Sequence, residues 1–220
     1  MKELIIATSN SGKIREIKDI LVDIPLEIKS LSDIGLDVDV EENGKTFEEN
    51  AILKAKTIGE KTGLLTLADD SGLEVDALGG KPGVNSARYA EGTDLDRINK
   101  LLKELKDILK EKRAARFRCV IALYIPLSHP ESRFDRDEGS LISSVQNDNV
   151  EKIVTFKGVS EGYITEKPVG SNGFGYDPVF YLPELGKTSA QLTLKEKNRV
   201  SHRSKALIKC RDFLTNYNSL

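Results

Sequence analysis

The chain has 220 residues, 39% apolar and 31% charged, an ordinary balance for a folded protein that excludes a disordered chain. No stretch approaches the ~20 apolar residues of a membrane span, so no membrane partner is expected. A net charge of -2 and a pI of about 5.9 supply no basic field to capture a nucleic-acid polymer, whereas a small phosphate needs only a few local cations.

At this length one α/β body is expected, with residues 1–220 forming a single domain. The opening MKELIIATSN has a short apolar core and no cleavage-site pattern, so it reads as a first strand rather than a signal peptide, and a cytoplasmic protein is expected. Cys119 and Cys210 lie far apart without a CxxC or Cys/His cluster, which predicts buried thiols rather than a disulfide framework or a zinc site.

Lys2 to Thr8 is an apolar run ending in a polar turn, and Gly12 to Val22 follows with Ile14, Ile17, Ile20 and Leu21 at helical spacing. Thr46 and Glu49 form a capping-box pattern that opens a second helix, with Phe47, Ala51, Ala55 and Ile58 as its inner stripe. Leu64 to Ala68 reads as a buried strand running into Asp69 and Asp70, and Gly72, Gly79, Gly80, Pro82 and Gly83 predict turns after it. Thr93 to Lys112 carries the clearest helical pattern, with Ile98, Leu101, Leu102, Leu105, Ile108 and Leu109 on one face.

In the Arg116 to Ile125 stretch, Val120 to Leu123 is continuously apolar, which predicts a strand covered on both faces at the centre of the sheet. Residues 126–149 turn polar and read as a long surface loop. Val150 to Phe156 and Gly162 to Thr165 predict two antiparallel strands, and Thr193 with Glu196 opens a last helical region. Without strict βαβ alternation, the α/β pattern predicts an elongated mixed β-sheet flanked by helices.

Four segments carry possible chemistry. Thr8-Ser9-Asn10-Ser11-Gly12-Lys13 joins a strand to a helix N-terminus, where unpaired N–H groups and the Lys13 charge suit a phosphate; a plain cap accounts for it equally well, and it is not a P-loop. Glu41-Glu42 and Asp69-Asp70 offer hard oxygen ligands of the kind magnesium takes. Neighbours on an extended strand point to opposite faces, so one member of each pair is expected in the site. Glu41-Glu42 alone reads as a solvated turn, but carboxylates at the end of an apolar strand are costly unless paired or metal-bound, which favours a role for Asp69-Asp70.

Gly170 to Pro178 frames Phe174 with glycines that let a flat ligand approach, and a packed hairpin is an equal alternative. Lys197, His202 and Arg203 form the last set, for which surface charges and a structural histidine are the plain alternative. Lys197 and Arg203 would lie about 240° apart around a continuous α-helix, so both face one ligand only if the helix bends near Ser201.

Together, TSNSGK (8–13), VEENGKTFEENAILKAK (40–56), ADDSGLEVDALGGKPGVNSARYA (68–90), GFGYDPVF (173–180) and LTLKEKNRVSHRSKAL (192–207) resemble, in order and spacing, the Ham1 family of inosine triphosphate pyrophosphatases. The resemblance implies two lobes around a central nucleotide-binding cleft, a homodimer, and hydrolysis of ITP, dITP and XTP to the monophosphate and pyrophosphate with Mg2+. It assigns the triphosphate to Thr8, Ser9, Asn10, Ser11, Gly12 and Lys13, with Lys54 as a further phosphate contact. It assigns the metal to Glu41 and Asp70, with Asp70 also the proton acceptor, and the rest of the substrate to Ser71, Phe174, Gly175, Tyr176, Asp177, Lys197, His202 and Arg203. A keto O6 accepting from Arg203 would then select the base.

The polar segment after CVIALYI departs from the family's usual short turn, and a tolerated surface loop is the expected reading. Two alternatives stand beside this one. A Maf-like pyrophosphatase for other modified nucleotides is disfavoured by GFGYDPVF and SHR, and a non-catalytic nucleotide sensor by Glu41, Asp70 and Lys13. An exposed apolar patch near residues 72–92 is where a dimer interface is sought.

Overall fold

The computed structural model describes residues 2–126 and 152–217. Its strands are β1 (Lys2–Ile6), β2 (Leu26–Ser30), β3 (Leu65–Val75), β4 (Ala114–Ile125), β5 (Lys152–Ile164), β6 (Phe180–Leu182) and β7 (Lys187–Thr188). Its α-helices are α1 (Ser11–Ile20), α2 (Phe47–Thr62), α3 (Asp94–Glu104), α4 (Leu194–Val200) and α5 (His202–Tyr217). The strands form one seven-stranded sheet in the order β2-β1-β3-β4-β5-β6-β7. Pairing is parallel among β2, β1 and β3 and antiparallel from β3 onward, so the sheet is mixed, as expected.

Alternation along β3 divides the interior. Leu65 and Leu67 join a core with Ile17 and Leu21 beside α1 and with Leu207 and Cys210 of α5, while Leu73 and Val75, on the same face, join a second core with Ile98 and Leu101 of α3. Ala68, on the opposite face, packs with Ala51, Ala55 and Ile58 of α2. Between the two cores on the first face lie Asp69 and Ser71, so the polar stretch of β3 falls where the lobes meet. The strand β4 occupies the middle of the sheet and is buried on both faces, as its apolar run requires.

Three expectations are corrected. The strand expected at Leu64 to Ala68 does not end there: β3 stays in register with β4 through Asp69↔Ile121 to Val75↔Ala115. The helix after Thr93 ends at Glu104, and Arg113 then donates to the carbonyls of Leu105 and Ile108, closing the chain into turns. Finally, β5 is one continuous strand rather than two. Gly158 and Gly162 do not break it; a Cβ on Gly158 would lie 2.1 Å from the carbonyl oxygen of His202, so this glycine admits the start of α5.

Both cysteines are buried, unpaired thiols. No described helix is long and apolar enough to cross a membrane. The exposed large hydrophobics among the described residues, including Val22, Leu95 and Leu109, fall outside 72–92, so no large apolar side chain marks a patch there. Of the polar loop, residues 127–149 lie outside the described residues.

Candidate active site

The cleft between the lobes is lined by Lys13, Asp70, Phe174, Asp177, Lys197 and Arg203, among others. Asn10 caps α1, accepting from the Lys13 backbone N–H at 3.0 Å, and thereby turns the Lys13 side chain back toward β3. Its ammonium pairs with Asp69. Ser9, Asn10, Ser11 and Gly12 form the rim of an adjoining opening beside Phe174, whereas Thr8 borders a separate depression with Leu31 and Val38.

The predicted bend is present. Ser201 is extended (φ -69, ψ 154) between α4 and α5, and its hydroxyl accepts from the Ser204 N–H at 3.1 Å, capping the second helix. The break aims Lys197 and Arg203 at one partner, Glu16 of α1: Lys197 Nζ lies 2.9 Å from Glu16 Oε1, and Arg203 Nη1 pairs with Glu16 Oε2. Arg203 also donates from Nε to Asp69 Oδ2 at 2.9 Å and from Nη2 to Ser71 Oγ at 2.8 Å. Lys197 pairs in addition with Asp177. Three carboxylates (Glu16, Asp69, Asp177) thus balance three cations (Lys13, Lys197, Arg203) in a buried network.

The Phe174 ring lies 5.0 Å from the Lys197 ammonium and 5.5 Å from the Arg203 guanidinium, and it packs over Gly12. Its loop is held by Asp177, which accepts from the Phe174 N–H at 3.0 Å, and by Asp94 of α3, which accepts from the Gly175 N–H at 2.6 Å. The Tyr176 hydroxyl donates to the Ser86 carbonyl at 3.0 Å. His202 stacks on Phe117 with ring centroids 4.6 Å apart.

On the α2 face, Lys54 gathers the other carboxylates. Its Nζ donates to Asp70 Oδ1 at 2.9 Å, to Glu42 Oε1 at 3.0 Å and to the Asp69 carbonyl at 2.7 Å. Glu42 also receives Arg88 Nη1 at 2.9 Å. Glu41 is exposed and off the cleft lining, while Glu42 faces Lys54 and Asp70. The Lys54 and Arg88 contacts hold the second glutamate toward the cleft.

Charge states follow from these partners. Burial pushes Asp70 above the usual carboxylate range, against the pull of Lys54 and Lys13. Burial would also raise Asp69, but Arg203 and Lys13 outweigh it and hold that carboxyl well below the usual range. The same contest leaves Glu16 lowered by Arg203 and Lys197, and Glu42 lowered by Lys54. Burial, reinforced by Arg203 and Lys197, keeps His202 neutral. Adjacent aspartates are therefore set apart, one held as an anion inside a network and the other raised by burial.

Sequence reasoning missed Glu16, Asn50, Arg88 and Asp94. The one available signal for Glu16 was its position one turn after Lys13 on the inner face of α1.

A model of the Ham1 family matches residues 4–213. Over 211 residues the chain is 50% identical to the dITP/XTP pyrophosphatase of Bacillus licheniformis, covering 95% of this chain and 96% of that protein. It is 47% identical to the dITP/XTP pyrophosphatase of Bacillus subtilis over 211 residues, 95% of each. Among solved structures, a HAM1 protein from Coxiella burnetii superposes with a TM-score of 0.79 at 40% identity, covering 98% of this chain and 100% of that one. With its mixed sheet, its cleft and a match over nearly its full length, this chain belongs to the Ham1 family.

Proposed function

We propose that this protein hydrolyses the non-canonical purine nucleoside triphosphates ITP, dITP and XTP to the nucleoside monophosphate and pyrophosphate. The observation that carries the proposal is a single cleft joining a carboxylate and lysine end, at Asp70, Glu42 and Lys13, to an aromatic end, at Phe174 with Lys197 and Arg203. The named activity of the bacterial relatives supports it.

The donor set fits a magnesium ion. Asp70 and Glu42 converge on the same Lys54 ammonium, and two carboxylates completed by water and phosphate oxygens are what this cation accepts. Asp70 and Glu42 would hold it. When bound, the ion would offset charge developing on the phosphates. Asp70 would orient the attacking water toward the α-phosphorus and take up its proton, consistent with the raised affinity of this carboxyl for protons. Lys13 and Lys54 would meet the phosphate oxygens and stabilise departing pyrophosphate.

At the other end, Phe174 would stack on the base. Arg203 commits three of its five N–H donors to Asp69, Glu16 and Ser71, and the others remain for a keto O6. A 6-amino group would present a donor to a donor and lose that bond. We place the reaction in the cytoplasm, with the protein acting as one domain and a homodimer.

The test is incubation of the purified protein with ITP, XTP, ATP and GTP, with and without Mg2+, alongside Asp70→Asn. Monophosphate and pyrophosphate from ITP and XTP, dependent on Mg2+ and lost in the variant, are expected. Binding without turnover would mean a sensor instead.

A further inference from the structure

Asn50 is fully buried on α2, and its carboxamide touches both carboxylate-bearing segments of the cleft. Its Nδ2 donates to Asp70 Oδ2 at 3.3 Å, while Lys54, one turn along, donates to Oδ1 of the same carboxylate at 2.9 Å. Both Asp70 oxygens are thus met by donors from one face of one helix, which fixes the carboxylate plane. The opposite end of Asn50 holds the preceding loop: its Oδ1 accepts from the Gly44 N–H at 2.8 Å. Two residues earlier in that loop, Glu42 places Oε1 3.0 Å from the same Lys54 ammonium.

The amide can face only one way. Turned over, it would set its oxygen against the Asp70 carboxylate and its NH2 against the Gly44 N–H, replacing two hydrogen bonds by two repulsions. Gly44 is fitted to it as well, since a Cβ there would lie 2.5 Å from Asn50 Oδ1. A residue needed only for packing at this position would be apolar, like its neighbours Ala51, Ala55 and Ile58.

We infer that Asn50 is a positioning residue that orients Asp70 and the Glu42 loop together, so that two carboxylates distant in sequence reach one divalent cation and one substrate as a unit. The inference rests on the roles proposed above for Asp70 and Glu42. Partners that orient ligating carboxylates are worth about 10- to 100-fold in metal affinity or activity. The part of its influence that acts through Asp70 is lost once Asp70 is neutralised.

The experiment is a double-mutant cycle of Asn50→Leu with Asp70→Asn, combined with calorimetric titration of Mn2+ alone into the nucleotide-free protein. Asn50→Leu should lower kcat for ITP about 10- to 100-fold, leave KM within about twofold, and weaken Mn2+ binding about tenfold. In the Asp70→Asn background the same change should cost clearly less, with only the part routed through the Glu42 loop remaining. An equal loss in both backgrounds would show a packing role and overturn the inference, as would unchanged kcat and Mn2+ affinity. Gly44→Ala, which alters neither α2 nor β3, should lower kcat and Mn2+ affinity in the same direction; no change there would sink the loop coupling. Full turnover by Asp70→Asn alone would instead overturn the reading of Asp70 itself.

Discussion

Asp69 and Asp70 are adjacent on β3 and face opposite sides of the sheet: Asp69 anchors Arg203 and Lys13, and Asp70 meets Lys54 and Asn50. Alternation along one strand therefore separates the residue that builds the site from the residue that would act in it. Two like-sized substitutions should have unlike consequences. Asp70→Asn should lower turnover roughly 10²–10⁴-fold with a small change in unfolding midpoint. Asp69→Asn leaves the buried Arg203 and the half-buried Lys13 short of a countercharge and should cost about 3–5 kcal/mol in urea unfolding. Equal effects of the two variants on both measurements would contradict the division of labour.

Glu16 ties Lys197 of α4 to Arg203 of α5 across the bend at Ser201. Removing its charge in Glu16→Gln frees both cations to shift away from Phe174. Steady-state kinetics with ITP should show kcat/KM reduced about tenfold, equivalent to about 1.4 kcal/mol, with most of the loss in KM. A loss confined to kcat would argue that Glu16 acts on the phosphate end instead.

His202 gives the fold an acid limit. Burial, with Arg203 and Lys197 nearby, depresses its pKa in the folded state, while an unfolded histidine titrates near 6.5. Below about pH 6.5 the unfolded chain binds a proton that the folded chain refuses. The stabilisation is complete above that pH and is lost on acidification, by up to about 1.4 kcal/mol per pH unit, until the folded pKa is reached. The lowered carboxylates Glu16 and Asp69 add their own losses only below about pH 5. Urea unfolding at pH 7.5 and 5.5 should show a smaller decline for His202→Gln than for the parent, and identical declines would exclude a neutral buried imidazole.

Much of the fold and site is legible in the sequence, and the failures have physical reasons. The turn at 8–13, the carboxylates of β3 and the Phe174 loop were found because their residue types are costly or unusual beside apolar runs. The bend at Ser201 followed from helical geometry alone, since Lys197 and Arg203 could not otherwise converge. Strand ends were misjudged beside two glycines: Gly72 was read as a turn, and the strand that holds Gly158 was read as two segments either side of it. Gly72 and Gly158 instead sit inside paired strands, where neighbouring segments approach too closely for a side chain. The choice between Glu41 and Glu42 was not legible, because the segment before α2 belongs to no sheet and has no register to set its parity. Asn50 and Glu16 were missed because each lies within an ordinary helical pattern, and only the packed partners reveal what the side chain holds.

The central claim is attack of water at the α-phosphorus, and the most direct measurement is hydrolysis of ITP in 18O-labelled water followed by mass spectrometry of the products. The account predicts one labelled oxygen in inosine monophosphate and none in pyrophosphate. Label in pyrophosphate, or release of inorganic phosphate with a nucleoside diphosphate, would contradict it.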